Sequence, residues 1–242
     1  MTLSDVQQNW DRFGRQDPLW AILTTDDARG GRWDESAFFA SGEVAVAELL
    51  ALTDPPPTGR ALDFGCGVGR LTLPLARHFR EVVGVDIAPS MLALAERYKA
   101  ERHTGAPGDL RYVLNQRPDL GQFESGSFDF VNAAIVLQHM RPAIALGYLR
   151  EFARLLAPGG QLVFNLPSEP APTFRGRLYR VLPRRVIYAY KRRRDGSVME
   201  MNGIPIGRLV VELERAGLTV EKVRSNAGGG RNWLAFLYCC RR

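Results

Sequence analysis

The chain has 242 residues, 45 % apolar and 24 % charged, a balance that fits one well-filled globular domain and excludes disordered and collagen-like classes. A bilayer-spanning helix needs roughly 18 consecutive apolar residues, and no such run occurs. Net charge is +6, and the three cysteines (Cys66, Cys239, Cys240) supply neither an even disulfide framework nor a C-x-x-C metal pair.

The opening residues, Met1-Thr2-Leu3-Ser4-Asp5-Val6-Gln7-Gln8, lack the basic and apolar regions of a secretory signal, so a reducing cytoplasm is the expected setting. Residues 1–57 are rich in aromatics (Trp10, Phe13, Trp20, Trp33, Phe38, Phe39) but show no strand pattern. Val44, Ala47, Glu48 and Leu49 to Leu52 predict a helix ending before Pro55-Pro56-Pro57, a stiff linker.

From Arg60 onward strand and helix patterns alternate. Ala61-Leu62-Asp63-Phe64 closes a buried strand, and Gly65-Cys66-Gly67-Val68-Gly69 follows as a tight loop. Leu71, Leu75, Ala76 and Phe79 then predict an amphipathic helix. Glycines here let a ligand approach the main chain without a Cβ in the way. Dinucleotide loops read G-x-G-x-x-G. In this loop the third glycine comes one residue early, and Arg70 stands where that pattern wants glycine. Glu81 to Asp86 is a second buried strand. Asp86, 21 residues after Gly65, suits hydrogen bonding to ribose hydroxyls.

Pro89 and Ser90 start a helix whose Met91, Leu94, Ala95 and Tyr98 share an apolar face. Leu110 to Leu114 and Phe128 to Val136 are the third and fourth strands. A helix after Pro142 buries Leu149, Phe152, Ala153 and Leu156 and ends at Pro158-Gly159-Gly160, before a fifth strand at Gln161 to Leu166. Residues 167–203 interrupt the rhythm with a basic block. Arg175, Arg177, Arg180, Arg184, Arg185, Lys191, Arg192, Arg193 and Arg194 occur there without a carboxylate between Pro170 and Arg194. The block is either a solvated face or a surface for an anionic partner. Pro205 opens a last helix lined by Leu209, Leu213 and Ala216, with Gly217 past its end. Leu218 to Val223 and Trp233 to Cys239 pair as a hairpin. The β-α-β alternation calls for an α/β fold with a parallel sheet covered on both faces.

Four motifs in this order resemble the class I S-adenosylmethionine-dependent methyltransferases, over roughly residues 58–166. Asp63 to Gly69 looks like their first motif, and Val83 to Leu92 like their second. Ser127 to Val131 resembles the fourth-strand motif, and Leu155 to Gly160 the turn before the fifth strand. Trp10 to Ile22 is similar to a subgroup of bacterial small-molecule and sugar methyltransferases.

The resemblance implies a Rossmann-like doubly wound, mostly parallel seven-stranded sheet with a terminal antiparallel hairpin. It also implies a methyltransferase domain at 58–242, a lid region at 1–57 and S-adenosyl-L-methionine as cofactor. Backbone at Gly65 and Gly67, with Asp63 nearby, would hold the amino-acid end of the cofactor, and Cys66 would serve as a small loop residue. Asp86 would take the ribose hydroxyls, Ile87 would pack on the adenine, and Met91 belongs to the same motif. The family's acidic residue near the adenine amino group falls here at Asn115-Gln116, so an amide carbonyl would accept instead, with Asp119 an alternative. Ala133 and Ala134 would lie beside the methionine portion.

His139, beyond the fourth strand, is the candidate general base for a hydroxyl acceptor, or else a histidine that packs this loop. No His/Asp/Glu set suggests a metal. The Asn132-Ala133-Ala134-Ile135 sequence lacks an amine clamp for base N-methylation. Trp10, Phe13, Trp20, Trp33 and Phe39 are expected to form a lid over the acceptor, or to pin the N-terminal helices to the core. The expected function is methyl transfer to a small molecule, at a hydroxyl of a sugar or secondary metabolite, without a membrane partner. An RNA or protein substrate and a non-catalytic cofactor-binding regulator are the alternatives.

Overall fold

The computed structural model describes residues 3–53, 55, 59–105, 107–183, 186–189, 193 and 198–242. Pro56 and Pro57 of the expected linker, and Arg184, Arg185, Lys191, Arg192 and Arg194 of the basic block, lie outside them. Seven strands, β1 (Arg60–Phe64), β2 (Glu81–Asp86), β3 (Asp109–Leu114), β4 (Phe128–Ala133), β5 (Leu156–Pro170), β6 (Thr219–Asn226) and β7 (Trp233–Arg241), form one sheet ordered 3-2-1-4-5-7-6. β1 to β5 run parallel, and β7 inserts antiparallel between β5 and β6. The expected sheet and terminal hairpin are both present.

The helices are α1 (Leu3–Gln16), α2 (Pro18–Ile22), α3 (Glu35–Thr53), α4 (Thr72–Leu75), α5 (Pro89–Arg102), α6 (Pro142–Leu155), α7 (Phe174–Val181) and α8 (Ile206–Arg215). Successive strand residues face opposite sides, which splits the core into two layers. Leu62, Phe64, Val83, Val85 and Val131 pack with Tyr148 and Phe152 of α6 and Leu209 and Leu213 of α8. Ala61, Val82 and Phe130 pack with Phe38, Phe39 and Val46 of α3 and Met91 and Tyr98 of α5. The chain moves outward from β1 to β3, then returns to place β4 on the other flank of β1. Ligands of open α/β sheets bind at such a reversal.

Four sequence expectations need correction. The helix expected over 71–79 is a single turn, α4, buried all round from Leu71 to Ala76. Beyond Pro74 the bonds tighten, Arg77 N–H to the Pro74 carbonyl and His78 N–H to that of Leu75. β4 stops at Ala133, not Val136, because Ile135 has φ 60° and cannot continue a strand. α6 stops at Leu155, and Pro158-Gly159-Gly160 is a bulge inside β5, between Leu156 opposite Phe128 and Gln161 opposite Phe130. α3 begins at Glu35, nine residues before the expected Val44, and takes Phe38 and Phe39 into the core.

Candidate functional site

The loop after β1 is folded onto the end of β2. Gly65 and Cys66 donate their N–H groups to the Val85 carbonyl (2.7 and 3.1 Å), and Gly67 donates to Asp86 Oδ2 (2.9 Å). The N–H groups of Gly65 and Gly67 thus bond within the protein. Gly65 and Gly67 have φ of 72° and 55°. A Cβ at Gly65 would run into Val136, and one at Gly67 would come within 2.7 Å of Ile22. Both neighbours line a cleft of about 940 Å³, its open mouth included. The two glycines keep that space clear. Gly69, the early glycine, leaves the room that the Tyr112 hydroxyl fills beneath the loop.

Three charged groups lie on this side of the cleft. Asp86 accepts from Gly67 N–H at Oδ2 and from Ala88 N–H at Oδ1 (2.8 Å), so both oxygens are anchored and each keeps a lone pair. Burial raises its pKa, against the pull of these backbone donors. Asp63 is a structural hub. Its Oδ2 accepts from the Thr72 hydroxyl (2.7 Å) and its Oδ1 from the Asn132 amide (2.8 Å), tying β1 to α4 and β4. Burial raises its pKa as well. Arg70 lines the cleft, buried, with Nη1 3.3 Å from the Ser41 hydroxyl and with Nε lacking any partner. Burial lowers its pKa and the Asp63 charge opposes this. A buried guanidinium with an unfilled donor in a cleft wall fits an anionic group. Its position after the third glycine was visible in the sequence, but its inward burial was not.

The facing wall is the segment after β4, where Ala134, Ile135, Val136, His139 and Met140 line the cleft. Ile135 is the one non-glycine residue with positive φ among the described residues. Such strain in a β-branched residue gathers at functional sites. His139 is buried, and its Nδ1 lies 2.7 Å from the Glu200 carbonyl. Burial drives its pKa down to about 4, although the Glu200 and Ile135 carbonyls favour the charged ring. The ring is therefore neutral at pH 7, with its proton assigned to Nδ1 by the Glu200 carbonyl and the lone pair left on Nε2.

α1 and α2 roof the cleft. Val6 and Trp10 come from α1, Ala21 and Ile22 from α2, and the Trp10 ring meets His139 edge-on at 5.1 Å. α1 is fastened on two sides. At the start of α5 the Ser90 N–H donates to the Asp11 carboxylate (2.9 Å) and the Ser90 hydroxyl to the Asp11 backbone carbonyl (2.8 Å), and Asn9 exchanges two hydrogen bonds with the Val198 backbone. Burial would raise the Asp11 pKa, but the Ser90 bonds and Arg15 together hold it below the ordinary range.

Of the five aromatics expected as a lid, only Trp10 lines the cleft. Phe13 and Phe39 lie in the core, and Trp20 and Trp33 pack against it, their indole N–H groups donating to Thr25 and Leu23 carbonyls. Those four pin the N-terminal helices instead.

Ile87, Met91, Asn115 and Tyr148 line the remaining end. Asn115 is buried, and its Nδ2 donates to the Asp119 and Arg117 carbonyls (3.1 and 3.3 Å). Its Oδ1 has only two long contacts, to Arg117 N–H and the Gln122 amide (both 3.4 Å), so that carbonyl is the weakly held acceptor at this end. Gln116 is exposed and Ala133 fully buried, and neither lines the cleft. Asp63, Gly65, Cys66, Gly67, Asp86 and Ala134 all do. Cys66 is a protonated, buried thiol whose pKa burial lifts well above the ordinary value, consistent with a small packing residue. Among the described residues no three His, Cys, Asp or Glu side chains gather for a metal.

Residues 62–164 match the family model described as a methyltransferase domain. Ubiquinone biosynthesis O-methyltransferases are similar over 165 residues, at 31 % identity for the protein of Xanthomonas campestris pv. campestris and 33 % for that of Xanthomonas oryzae pv. oryzae. Both alignments cover 68 % of this chain, which spans 58 % of the length of those relatives. Among solved structures, magnesium protoporphyrin IX methyltransferase from Synechocystis, with bound SAH, superposes with a TM-score of 0.69 at 18 % identity over 99 % of each chain. The [4+2]-cyclase SpnF superposes with a TM-score of 0.66 at 17 % identity, over 98 % of this chain and 94 % of its own. At such identities the superpositions speak for the fold.

Proposed function

We propose that the chain is, through residues 62–164, a class I S-adenosylmethionine-dependent methyltransferase, and that it transfers the cofactor's methyl group to a hydroxyl of a small, largely apolar acceptor. One observation carries this reading. A single cleft runs from the anchored carboxylate of Asp86 and the unfilled guanidinium of Arg70 to the neutral imidazole of His139 under Trp10. The cofactor has a ribose diol, an ammonium and a carboxylate, so the Asp86 and Arg70 end fits it chemically.

When bound, S-adenosylmethionine supplies an electrophilic methyl group on sulfur. The chain's residues provide the rest. Asp86 accepts from the ribose hydroxyls with the lone pairs its backbone donors leave open. Arg70 receives the carboxylate. Asn115 Oδ1 offers an acceptor for the adenine amino group, and Ile87 and Met91 offer apolar surface beside it. Val6, Trp10 and Ile22 exclude water, which strengthens every electrostatic contact inside. His139 Nε2 takes the hydroxyl proton as the acceptor oxygen attacks. A neutral imidazole is in the right form for this across the physiological range.

The acceptor end is lined by Val6, Trp10, Ile135, Val136 and Met140. Sugars need several polar partners, and His139 is the principal one at this end. That supports a phenol or another apolar secondary metabolite over a sugar. The reading is tested by incubating the protein with methyl-labelled S-adenosylmethionine and a panel of phenols, sugars, amines and RNA. Label is expected in phenols or apolar alcohols, with stoichiometric S-adenosylhomocysteine. Label confined to sugars, amines or RNA would overturn the acceptor class, and none in any acceptor would overturn the activity.

A further inference from the structure

A short surface helix normally turns its apolar stripe inward, and α7 does the reverse. Gly176 is its buried position, and a Cβ there would strike the Ala171 carbonyl, so this side of the helix packs closely on the segment that leaves β5. Its orientation is fixed on that side. Thr173 caps the first turn through the Gly176 N–H (3.0 Å), Arg180 donates to the Pro170 carbonyl (2.7 Å), and the Tyr179 ring lies 5.8 Å from Trp233.

Phe174, Leu178 and Val181 recur at i, i+4 and i+7 and form the outer stripe, 84, 44 and 79 % exposed. Leu182 and Val186 extend the exposed apolar surface. At about 100° per residue Arg175 and Arg177 fall on opposite flanks of this stripe. Neither has a carboxylate partner among the described residues, and no acidic residue occurs from 170 to 194.

We propose, against the expectation of no membrane partner, that α7 docks this protein onto an anionic lipid surface. An outward apolar stripe with arginines on both flanks is the arrangement of a helix lying in a membrane interface. The apolar side chains enter the acyl boundary while the guanidiniums reach the phosphates around it. Charge selects this occupant. Two copies meeting through the same face would bring Arg175 and Arg177 against their own like charges. A nucleic acid would satisfy the arginines and leave Phe174 and Val181 in water. The surface is separate from the cleft and does not rest on the acceptor chosen above.

The test is flotation of the full chain with phosphatidylcholine vesicles, with and without phosphatidylglycerol. The protein is expected to float with the anionic vesicles and to lose binding as salt rises. Phe174→Ser/Val181→Ser should weaken it about tenfold or more, and Arg175→Gln/Arg177→Gln roughly fivefold per arginine. Calorimetric binding of S-adenosylhomocysteine, unchanged in both variants, verifies folding. Three results would overturn the proposal. One is no flotation at low salt. Another is flotation indifferent to the Phe174/Val181 change, which would assign the arginines to a soluble polyanion such as RNA. The third is a lipid-free dimer that those serines dissociate, which would assign the face to a second copy.

Discussion

His139 holds the most consequential single proton in the cleft. Its folded pKa of about 4 lies below the 6.5 of a free imidazole, so between these values the unfolded chain binds more protons than the folded one. Stability from this group is fully present above pH 6.5 and is lost as pH falls toward 4. The loss is about 1.4 kcal/mol per pH unit, on the order of 3 kcal/mol in all. Asp63 and Asp86, raised by burial, have the opposite slope at the acid end, so the difference between wild type and His139→Gln isolates the histidine. Denaturant melts of both proteins from pH 7.5 to 4.5 should converge as the pH falls. Parallel curves would mean that the ring is not buried neutral. The same variant should lose about a hundredfold or more in kcat with phenol acceptors, while S-adenosylhomocysteine affinity stays unchanged. Intact kcat would leave His139 as a packing residue that holds the 198–204 segment through the Glu200 carbonyl.

At the scale of elements, the strands were legible because their signal is local. β2 is an apolar run that ends in a carboxylate, β1 carries Asp63 one residue before its apolar end, and the loop between β1 and α4 has its glycines in order. Boundaries set by tertiary contacts were not legible. Nothing in Ala134-Ile135-Val136 announces a positive φ, since β-branched residues read as strand. The bulge at Gly159-Gly160 reads as a helix stop because glycine serves both purposes. The roof was half legible. Aromatic richness marked the N-terminal segment, but the choice of Trp10 over Phe13 depends on which face of α1 meets the cleft. That face is set by Asn9 to Val198 and Asp11 to Ser90, pairings 189 and 79 residues apart. Trp10→Ala removes the one large ring from the roof. It should weaken S-adenosylhomocysteine binding up to about tenfold and lower turnover. A variant that retains both would show that α1 only braces α5.

At the scale of the molecule, the sheet order places β1 beside β4, and the cleft opens where the two chain directions part. The parallel sheet followed from the alternation of elements, and its seven strands from the resemblance. The proposed cofactor end followed from the glycine loop and Asp86. Arg70 did not, because an arginine after a glycine loop reads as solvent-facing until Asp63, Ser41 and the cleft wall are seen around it. The proposed acceptor end is built from residues of α1 and the segment after β4, which no single motif spans. Fold alone does not settle chemistry, as the similarity to a [4+2]-cyclase makes plain.

The central claim is that this cleft holds the methyl donor through Asp86 and Arg70. Titration calorimetry of the wild-type protein with S-adenosylmethionine and S-adenosylhomocysteine tests it most directly. One site per chain is expected for both, with affinity falling about tenfold to a hundredfold in Asp86→Ala and about tenfold in Arg70→Met. Absence of binding to the wild type, or binding that neither substitution weakens, would contradict it.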